Sequence, residues 1–361
     1  MYDLIVIGAG PAGSSTAITA ARRGARVLLL ERGRFPRHKV CGEFVSAESL
    51  SLLRELLDFT CSNLLDHPVR IHQARFFIDD QVLRASIHPA AASIARLDLD
   101  NALWRSAERS GVEAKQQVIV REITGSGPFA LATSVGDFEA QAVVNASGRW
   151  SNLTVSPPAT NNRHEKWIGL KSHFSEGDPP DSVDLYFFDG GYCGVQPVSL
   201  NTEPARINLC AMVRADVAST LPQVLDLHPA LRERAAQWQP LMTPISVSPL
   251  VFGSPRPTQN GAMLVGDAAG FVDPFVGDGI SLALRSGALA AQCLTSYGGT
   301  LALPRALKEY SQQYRRRFAS VFRNSSSIRR MLRLPRPMRA PLVSFVANRP
   351  SVAEYLVRKT R

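Results

Sequence analysis

Two groups of residues near opposite ends of the chain have types and spacings suited to holding a nucleotide cofactor. The first is Gly8-Ala-Gly10-Pro11-Ala12-Gly13, which follows the apolar run from Tyr2 to Ile7 and precedes a second apolar run ending at Glu31. In such a unit Gly8 permits a tight turn, Gly10 lets a pyrophosphate approach the backbone, and Gly13 allows the following helix to pack on the strand. The phosphate charge then meets the free N–H groups of a helix N-terminus. Pro11 falls at the first helical position, where its missing N–H is no loss, and Gly24 stands where a helix end needs a positive φ. Glu31, with Arg32 beside it, closes the second strand, where a carboxylate accepts hydrogen bonds from adenosine ribose hydroxyls. The unit predicts a dinucleotide site and leaves FAD and NAD both open.

The second group is Gly266-Asp267-Ala-Ala-Gly270-Phe-Val-Asp273-Pro274-Phe-Val-Gly277-Asp-Gly279-Ile280. An apolar strand ends at Asp267, and a Pro then precedes a Gly-x-Gly that starts a helix. The Asp267 carboxylate can bond hydroxyls of a sugar-like chain, and the free N–H groups from Gly277 to Ile280 can hold an electron-rich ring edge. NAD has no use for a second site so far along the chain. FAD does, because its ribityl chain and isoalloxazine lie far from its adenosine.

The elements that must position these groups follow from the hydrophobic pattern. After the opening strand–helix–strand, Ser46–Leu57 reads as a helix, Val69–Ile78 and Val82–Ile87 as strands, and a helix runs from Arg96 to Gly111. A β-meander begins at Val118 and returns through Ala142–Ala146. Period-2 segments at Trp167–Phe174, Val183–Phe188, Tyr192–Val198 and Ala205–Val213 predict an antiparallel sheet. The fold class is therefore α/β, a Rossmann-like FAD-binding domain with an inserted antiparallel-sheet substrate domain and a helical C-terminus. The FAD-binding domain takes residues 1–68, 96–160 and 256–300. Strands of the substrate domain take 69–95 and 161–255, the Pro- and Asn-rich run Ser156–Arg163 marks a boundary, and 301–361 forms a basic helical segment.

With 361 residues, 45% hydrophobic and 20% charged, the chain has the composition of an ordinary globular protein. It shows no signal peptide and no apolar run long enough to span a membrane. Cys41, Cys61, Cys193, Cys210 and Cys293 are scattered without CxxC spacing and read as reduced thiols of a cytoplasmic protein. His38, His72, His88, His164 and His173 have no metal-ligand spacing, so no metal is expected. The net charge of +10 is concentrated late: from Arg305 onward fifteen Lys or Arg face only Glu309 and Glu354. Those cations alternate with Phe318, Phe322, Met331, Leu332 and Leu334, a mixture suited to peripheral contact with an anionic membrane. No nucleic-acid motif accompanies the charge. Oligomeric state is not legible.

Four segments together resemble the FAD-dependent superfamily typified by p-hydroxybenzoate hydroxylase, and within it the geranylgeranyl reductase and flavin halogenase branches. They are Gly8–Glu31, Lys39-Val-Cys41-Gly42-Glu43, Arg96-x-x-x-Asp100-x-x-Leu103 and Gly266–Ala283. The resemblance implies that Glu31 holds the adenosine ribose, Val118 contacts adenine, Arg96 lies beside the phosphate–ribityl region, and Asp267 binds the ribityl chain. It also places Cys41 and Gly42 near the flavin and substrate. Where the reductases carry Tyr-x-Trp-x-x-Pro, this chain has Tyr192-Cys-Gly194-Val-Gln-Pro197; Gly194 replaces the second aromatic, which weakens a halogenase reading and implies a roomier pocket. At Asn145–Arg149 the Asp-Gly pair that the aromatic hydroxylases link to NAD(P)H use is missing.

Cys41 and Tyr192 are the candidate catalytic residues. Cys41 follows Arg37, His38 and Lys39, whose positive charge would favour its thiolate. Two enzyme chemistries follow, both on a small apolar polyketide- or isoprenoid-like substrate and both needing NAD(P)H or another electron donor. The first is a monooxygenase, hydroxylating or epoxidising through a flavin C4a-hydroperoxide, which is the superfamily's commonest chemistry. The second is reduction of a carbon–carbon double bond, with Cys41 or Tyr192 supplying the proton. A non-catalytic flavoprotein docked at a membrane is the reading from another class.

Overall fold

A computed structural model describes residues 1–149, 153, 166–200, 202, 204–296, 303–332, 334–347, 349, 352 and 354–355. The boundary run Ser156–Arg163, together with His164, lies outside the described residues. The first elements are β1 (Tyr2–Ile7), α1 (Pro11–Ala21), β2 (Val27–Glu31), β3 (Phe44–Val45), α2 (Leu50–Leu56), β4 (Val69–Ile78) and β5 (Gln81–Ser93). There follow α3 (Arg96–Arg109), β6 (Glu113–Gln116), β7 (Val120–Gly125), β8 (Phe129–Thr133), β9 (Gly136–Asn145), β10 (Trp167–Glu176), β11 (Ser182–Phe188), β12 (Gly191–Ser199) and β13 (Ala205–Arg214). The remainder comprises α4 (Leu221–Leu225), α5 (Pro229–Ala235), β14 (Gln239–Pro240), β15 (Ile245–Leu250), β16 (Thr258–Gln259), β17 (Ala262–Leu264), α6 (Gly279–Thr295), α7 (Leu303–Leu332) and α8 (Arg336–Ala347).

Two sheets result. The first has the order β16-β17-β9-β1-β2-β6, with β7 and β8 attached through β9. Its strands β17, β9, β1, β2 and β6 are parallel. The central strands β1 and β2 are apolar where helices cover them: Leu4 to Ile7 and Val27 to Leu30 are all buried. On this sheet α1 and α6 cross closely. A Cβ on Gly287 would lie 2.2 Å from the Ala12 carbonyl oxygen, and Ser15 Oγ donates to the Leu284 carbonyl at 2.7 Å. Gly13 is fixed in the same way, since a Cβ there would stand 1.8 Å from the Gly8 carbonyl oxygen.

The second sheet has the order β14-β10-β13-β12-β11-β4-β5-β3, with β15 on the free side of β10. It is antiparallel except where β11 runs parallel to β4. Among the predicted strands here β4 has the expected ends and the others run one to six residues further at one end or both, the longest gain being β5, which continues past Ile87 to Ser93. The helix expected over Ser46–Leu57 is instead a 3₁₀ turn (Ala47–Ser49) followed by α2, and Ser46 makes no cap bond. Its hydroxyl is used elsewhere, 2.6 Å from Ser281 Oγ and 3.3 Å from Asp278 Oδ1, tying β3 to α6.

The C-terminal segment corrects one expectation. Phe318 and Phe322 were expected to favour a membrane, but they belong to the main core together with Tyr310, Tyr314 and Val321, on the face of α7 that packs over the first sheet. The Tyr310 hydroxyl donates to the Leu264 carbonyl at 2.7 Å. Among the described residues no helix is long and apolar enough to cross a membrane.

Candidate active site

A cavity of about 990 Å³ opens between the two sheets. Every residue expected to touch cofactor lines it except Gly13, whose place is in the helix–strand contact. Its wall thus brings together Gly8, Gly10, Pro11, Ala12, Glu31, Arg32, Cys41, Gly42, Arg96, Val118, Gly266, Asp267, Pro274, Gly277, Gly279 and Ile280. Tyr192 lines it from the second sheet.

At one end the geometry is that of a dinucleotide cradle. The N-terminus of α1 has Gly10 as its cap residue and no side-chain cap, so its N–H groups are free for an anion. Glu31 is held beneath it, accepting from Ala9 N at 2.9 Å and Gly33 N at 2.8 Å, with Arg37 at 3.0 Å. A Cβ on Gly42 or Gly279 would meet nothing within 4 Å, so these two glycines leave space at the cavity wall. Arg37 Nε and Arg149 Nη1 are buried without a hydrogen-bond partner among the described residues. Free helix N–H groups, guanidinium nitrogens with unused donors and an Asp267 carboxylate with Arg149 at 3.3 Å suit the phosphates and hydroxyls of FAD.

The floor of the cavity is one face of the second sheet, and strand register orders it in rows. Ile78, Phe187, Tyr192, Met212 and Gly169 lie across neighbouring strands; the next row is Phe76, Leu185, Gly194, Cys210 and Lys171. Gln196, Asn208 and His173 follow in a third, polar row. Gly194 therefore sits mid-floor with no side chain between Leu185 and Cys210. Beyond the apolar rows the wall is completed by Ile328, Met331, Leu332, Val343 and Val346 from α7 and α8.

Over the polar row hangs the loop Val40–Glu43. Glu43 has φ +62, is fully buried, and its carboxylate accepts from His173 Nε2 at 2.8 Å, from Lys171 Nζ and from Arg96 N at 2.8 Å. Burial alone would raise this carboxyl, but the bonds and charges of His173 and Lys171 hold it below its ordinary value. The Cys41 carbonyl accepts from Asn208 Nδ2 at 3.1 Å, and Cys41 Sγ lies 3.3 Å from Glu43 N. Sequence reasoning passed over this buried cluster. Its signal was present: Lys171 and His173 occupy inward positions of a period-2 strand, where a charge needs a partner.

A further cation joins those expected near Cys41. Burial, reinforced by Arg37 and Arg96, pushes Lys39 down to about 8, and burial together with Lys171 lowers His38. The further cation is Arg96, whose charge is felt at the thiol and which is itself paired with Asp100 at 2.7 Å.

In the first row of the floor the Tyr192 hydroxyl stands 3.4 Å from Asp273 Oδ1. Burial, with Asp273 adding to it, raises this phenol well above its ordinary value, so it keeps its proton. Burial likewise raises Asp273 to about 6 against the opposing pull of Arg329. A stack also missed in the sequence closes this side: Arg149 over Phe271 at 4.0 Å, Phe271 against Phe252 at 5.1 Å, and Arg329 over Phe252 at 4.0 Å. Among the described residues no three His, Cys, Asp or Glu side chains converge as a metal site.

A Rossmann-type sheet with such a cradle and a second sheet closing over it defines a flavoprotein oxidoreductase. The profile of the FAD binding domain family matches residues 1–325, and the chain belongs to that family. It is an FAD-dependent enzyme with reductase and halogenase relatives. Menaquinone reductase of Mycolicibacterium smegmatis is 27% identical over 92% of this chain and 85% of its own length. Digeranylgeranylglycerophospholipid reductase 2 of Methanothermobacter thermautotrophicus is 27% identical over 92% of this chain and 88% of its own. The solved structure of a flavin-dependent brominase superposes with a TM-score of 0.78 at 20% identity, covering 99% of this chain and 93% of that one, and so shares the fold.

Proposed function

We propose that this enzyme reduces a carbon–carbon double bond in an apolar, isoprenoid- or polyketide-like substrate. The observation that carries the reading is Tyr192 among the apolar side chains Phe187, Leu185 and Met212 of the cavity lining, with its hydroxyl 3.4 Å from Asp273. Reduction needs a proton at a substrate carbon, and oxygenation asks for no such donor from the protein. That contrast places reduction ahead of the monooxygenase expected from the superfamily's commonest chemistry. The names of the two relatives, each a reductase, support the same choice.

FAD, when bound and reduced, supplies a hydride; the chain's own residues do the rest. Glu31, Asp267 and the two helix N-termini would hold the cofactor along the cradle. The rows containing Phe76, Leu185, Phe187 and Met212 would exclude water and align the chain. Tyr192 would give its hydroxyl proton to the second carbon, and Asp273, raised to about 6, would restore it. Cys41, which also lines the cavity, is a second candidate donor.

The test is photoreduced, FAD-loaded enzyme with unsaturated isoprenoid and polyketide chains, followed by product mass with and without oxygen. A gain of two hydrogen atoms under both conditions is expected. A gain of one oxygen atom, seen only in air, would replace this reading with monooxygenation. No change in any substrate would favour the non-catalytic reading.

A further inference from the structure

Helix α8 is apolar on two faces. Its inner face buries Val343 against Ile78 and Leu83, closing the end of the cavity. Its outer face carries Met338, Leu342 and Phe345, which are 60%, 46% and 51% exposed. Spaced by four and then three residues, these three form a single stripe. Leu342 also lines the cavity, so the stripe borders the place where the chamber reaches the surface.

The helix is fastened so that the stripe cannot turn inward. Arg339 bonds Asp79 at 2.6 and 3.1 Å, Asp189 at 3.0 Å and the carbonyl oxygens of Leu332 and Leu334. Arg336 pairs with Asp80. These contacts pair the acidic side chains of the two adjacent hairpin turns with arginines of the helix. At the stripe itself the exposed Arg349 lies over the Phe345 ring at 4.4 Å, in a segment where cations far outnumber acids. An exposed apolar stripe bordered by guanidinium groups matches a bilayer interface, where the rings and aliphatic chains enter the acyl boundary and the cations meet lipid phosphates.

We propose that α8 docks on an anionic membrane through Met338, Leu342 and Phe345, and that apolar substrate enters the cavity from the lipid past Leu342. The docking stands on the surface alone; the substrate route rests on the reductase reading. Vesicle binding is therefore measured without turnover, so that failure of one leaves the other standing.

Full-length, FAD-loaded protein is sedimented with phosphatidylcholine vesicles and with vesicles one-third phosphatidylglycerol, alongside the double variant Met338→Ser/Phe345→Ser. The expected result is partitioning to the anionic vesicles that weakens with salt and falls about tenfold or more in the variant, with FAD absorbance retained. Equal partitioning of both proteins, or wild type left in the supernatant, overturns the proposal. So does a wild-type dimer in sedimentation velocity that the variant abolishes, which would assign the stripe to a second copy of the chain. If the double variant fails to retain FAD, Phe345→Ser alone is used with the same criteria.

Discussion

Asp273 Oδ2 and Arg329 Nη1 lie 3.4 Å apart, and through them the cofactor loop before Pro274 is joined to helix α7. The Asp273 N–H reinforces the joint by donating to Ser325 Oγ at 3.2 Å. Arg329 is only partly covered, whereas Asp273 is fully buried and also faces Tyr192. The pair thus couples the proton inventory of the site to the element that closes its chamber.

That coupling predicts a pH dependence. A carboxyl that ionises near 4 when unfolded and near 6 in the fold binds its proton more tightly in the fold. Its contribution is therefore fully present below about pH 4 and is lost as pH rises through 6, with folding weakened by about 2 to 3 kcal/mol across that window. Urea unfolding in a pH series should show this decline in wild type and its absence in Asp273→Asn. Arg329→Gln, which removes the opposing charge, should move the midpoint to higher pH. Parallel curves for wild type and Asp273→Asn would remove Asp273 from the account.

The Glu43 cluster predicts a mutational cost in stability. Lys171 and Glu43 have no exposed side-chain surface, and His173 has almost none. Lys171→Met leaves a buried carboxylate with one partner fewer, which should cost about 3 to 5 kcal/mol; Glu43→Gln should cost a similar amount. The double variant should lose much less than the sum, because neither charge is then left alone. Additive losses would mean that the two residues do not act as a pair.

The difference between these predictions and the opening motif shows what the sequence made legible. The glycine turn at Gly8–Gly13, the acid at Glu31 and the loop at Asp267–Ile280 are local patterns whose meaning is fixed within a few residues, so their chemistry could be read directly. Period-2 alternation likewise marked β10 to β13 to within a few residues at their ends. What pairing brings together was not readable. Glu43 meets Lys171 only because β10 passes beneath a distant loop, and Phe318 is core rather than surface because α7 lies over the first sheet. A count of cations in the C-terminal segment gave no hint that Arg336 and Arg339 are bound to Asp79, Asp80 and Asp189.

The cradle itself predicts how tightly the cofactor is kept. Glu31→Ala removes the acceptor poised by Ala9 N and Gly33 N, and Asp267→Ala removes the carboxylate beside Arg149. Each should weaken FAD by about 1 to 3 kcal/mol, roughly fivefold to 150-fold in Kd. Flavin absorbance remaining after gel filtration measures the loss. Full retention in both variants would move the adenosine and ribityl contacts to other residues.

Tyr192 and Cys41 are the two candidate proton donors, and two single-atom changes separate them. Tyr192→Phe deletes the hydroxyl but keeps the ring packed on Phe187 and Phe275, so FAD retention and flavin reduction should be unchanged. Product formation from photoreduced enzyme should then slow by about 10²-fold to 10⁴-fold, the ordinary contribution of a positioned general acid. Cys41→Ser keeps a hydroxyl able to face Arg96 but changes the acidity of the group, so a donor role would appear as a displaced pH–rate profile at intact cofactor binding. Slowing in Tyr192→Phe with an unchanged profile in Cys41→Ser assigns the proton to Tyr192 and leaves Cys41 as cavity wall. The opposite pattern assigns it to the thiol, and Asp273 would then serve only the joint with α7.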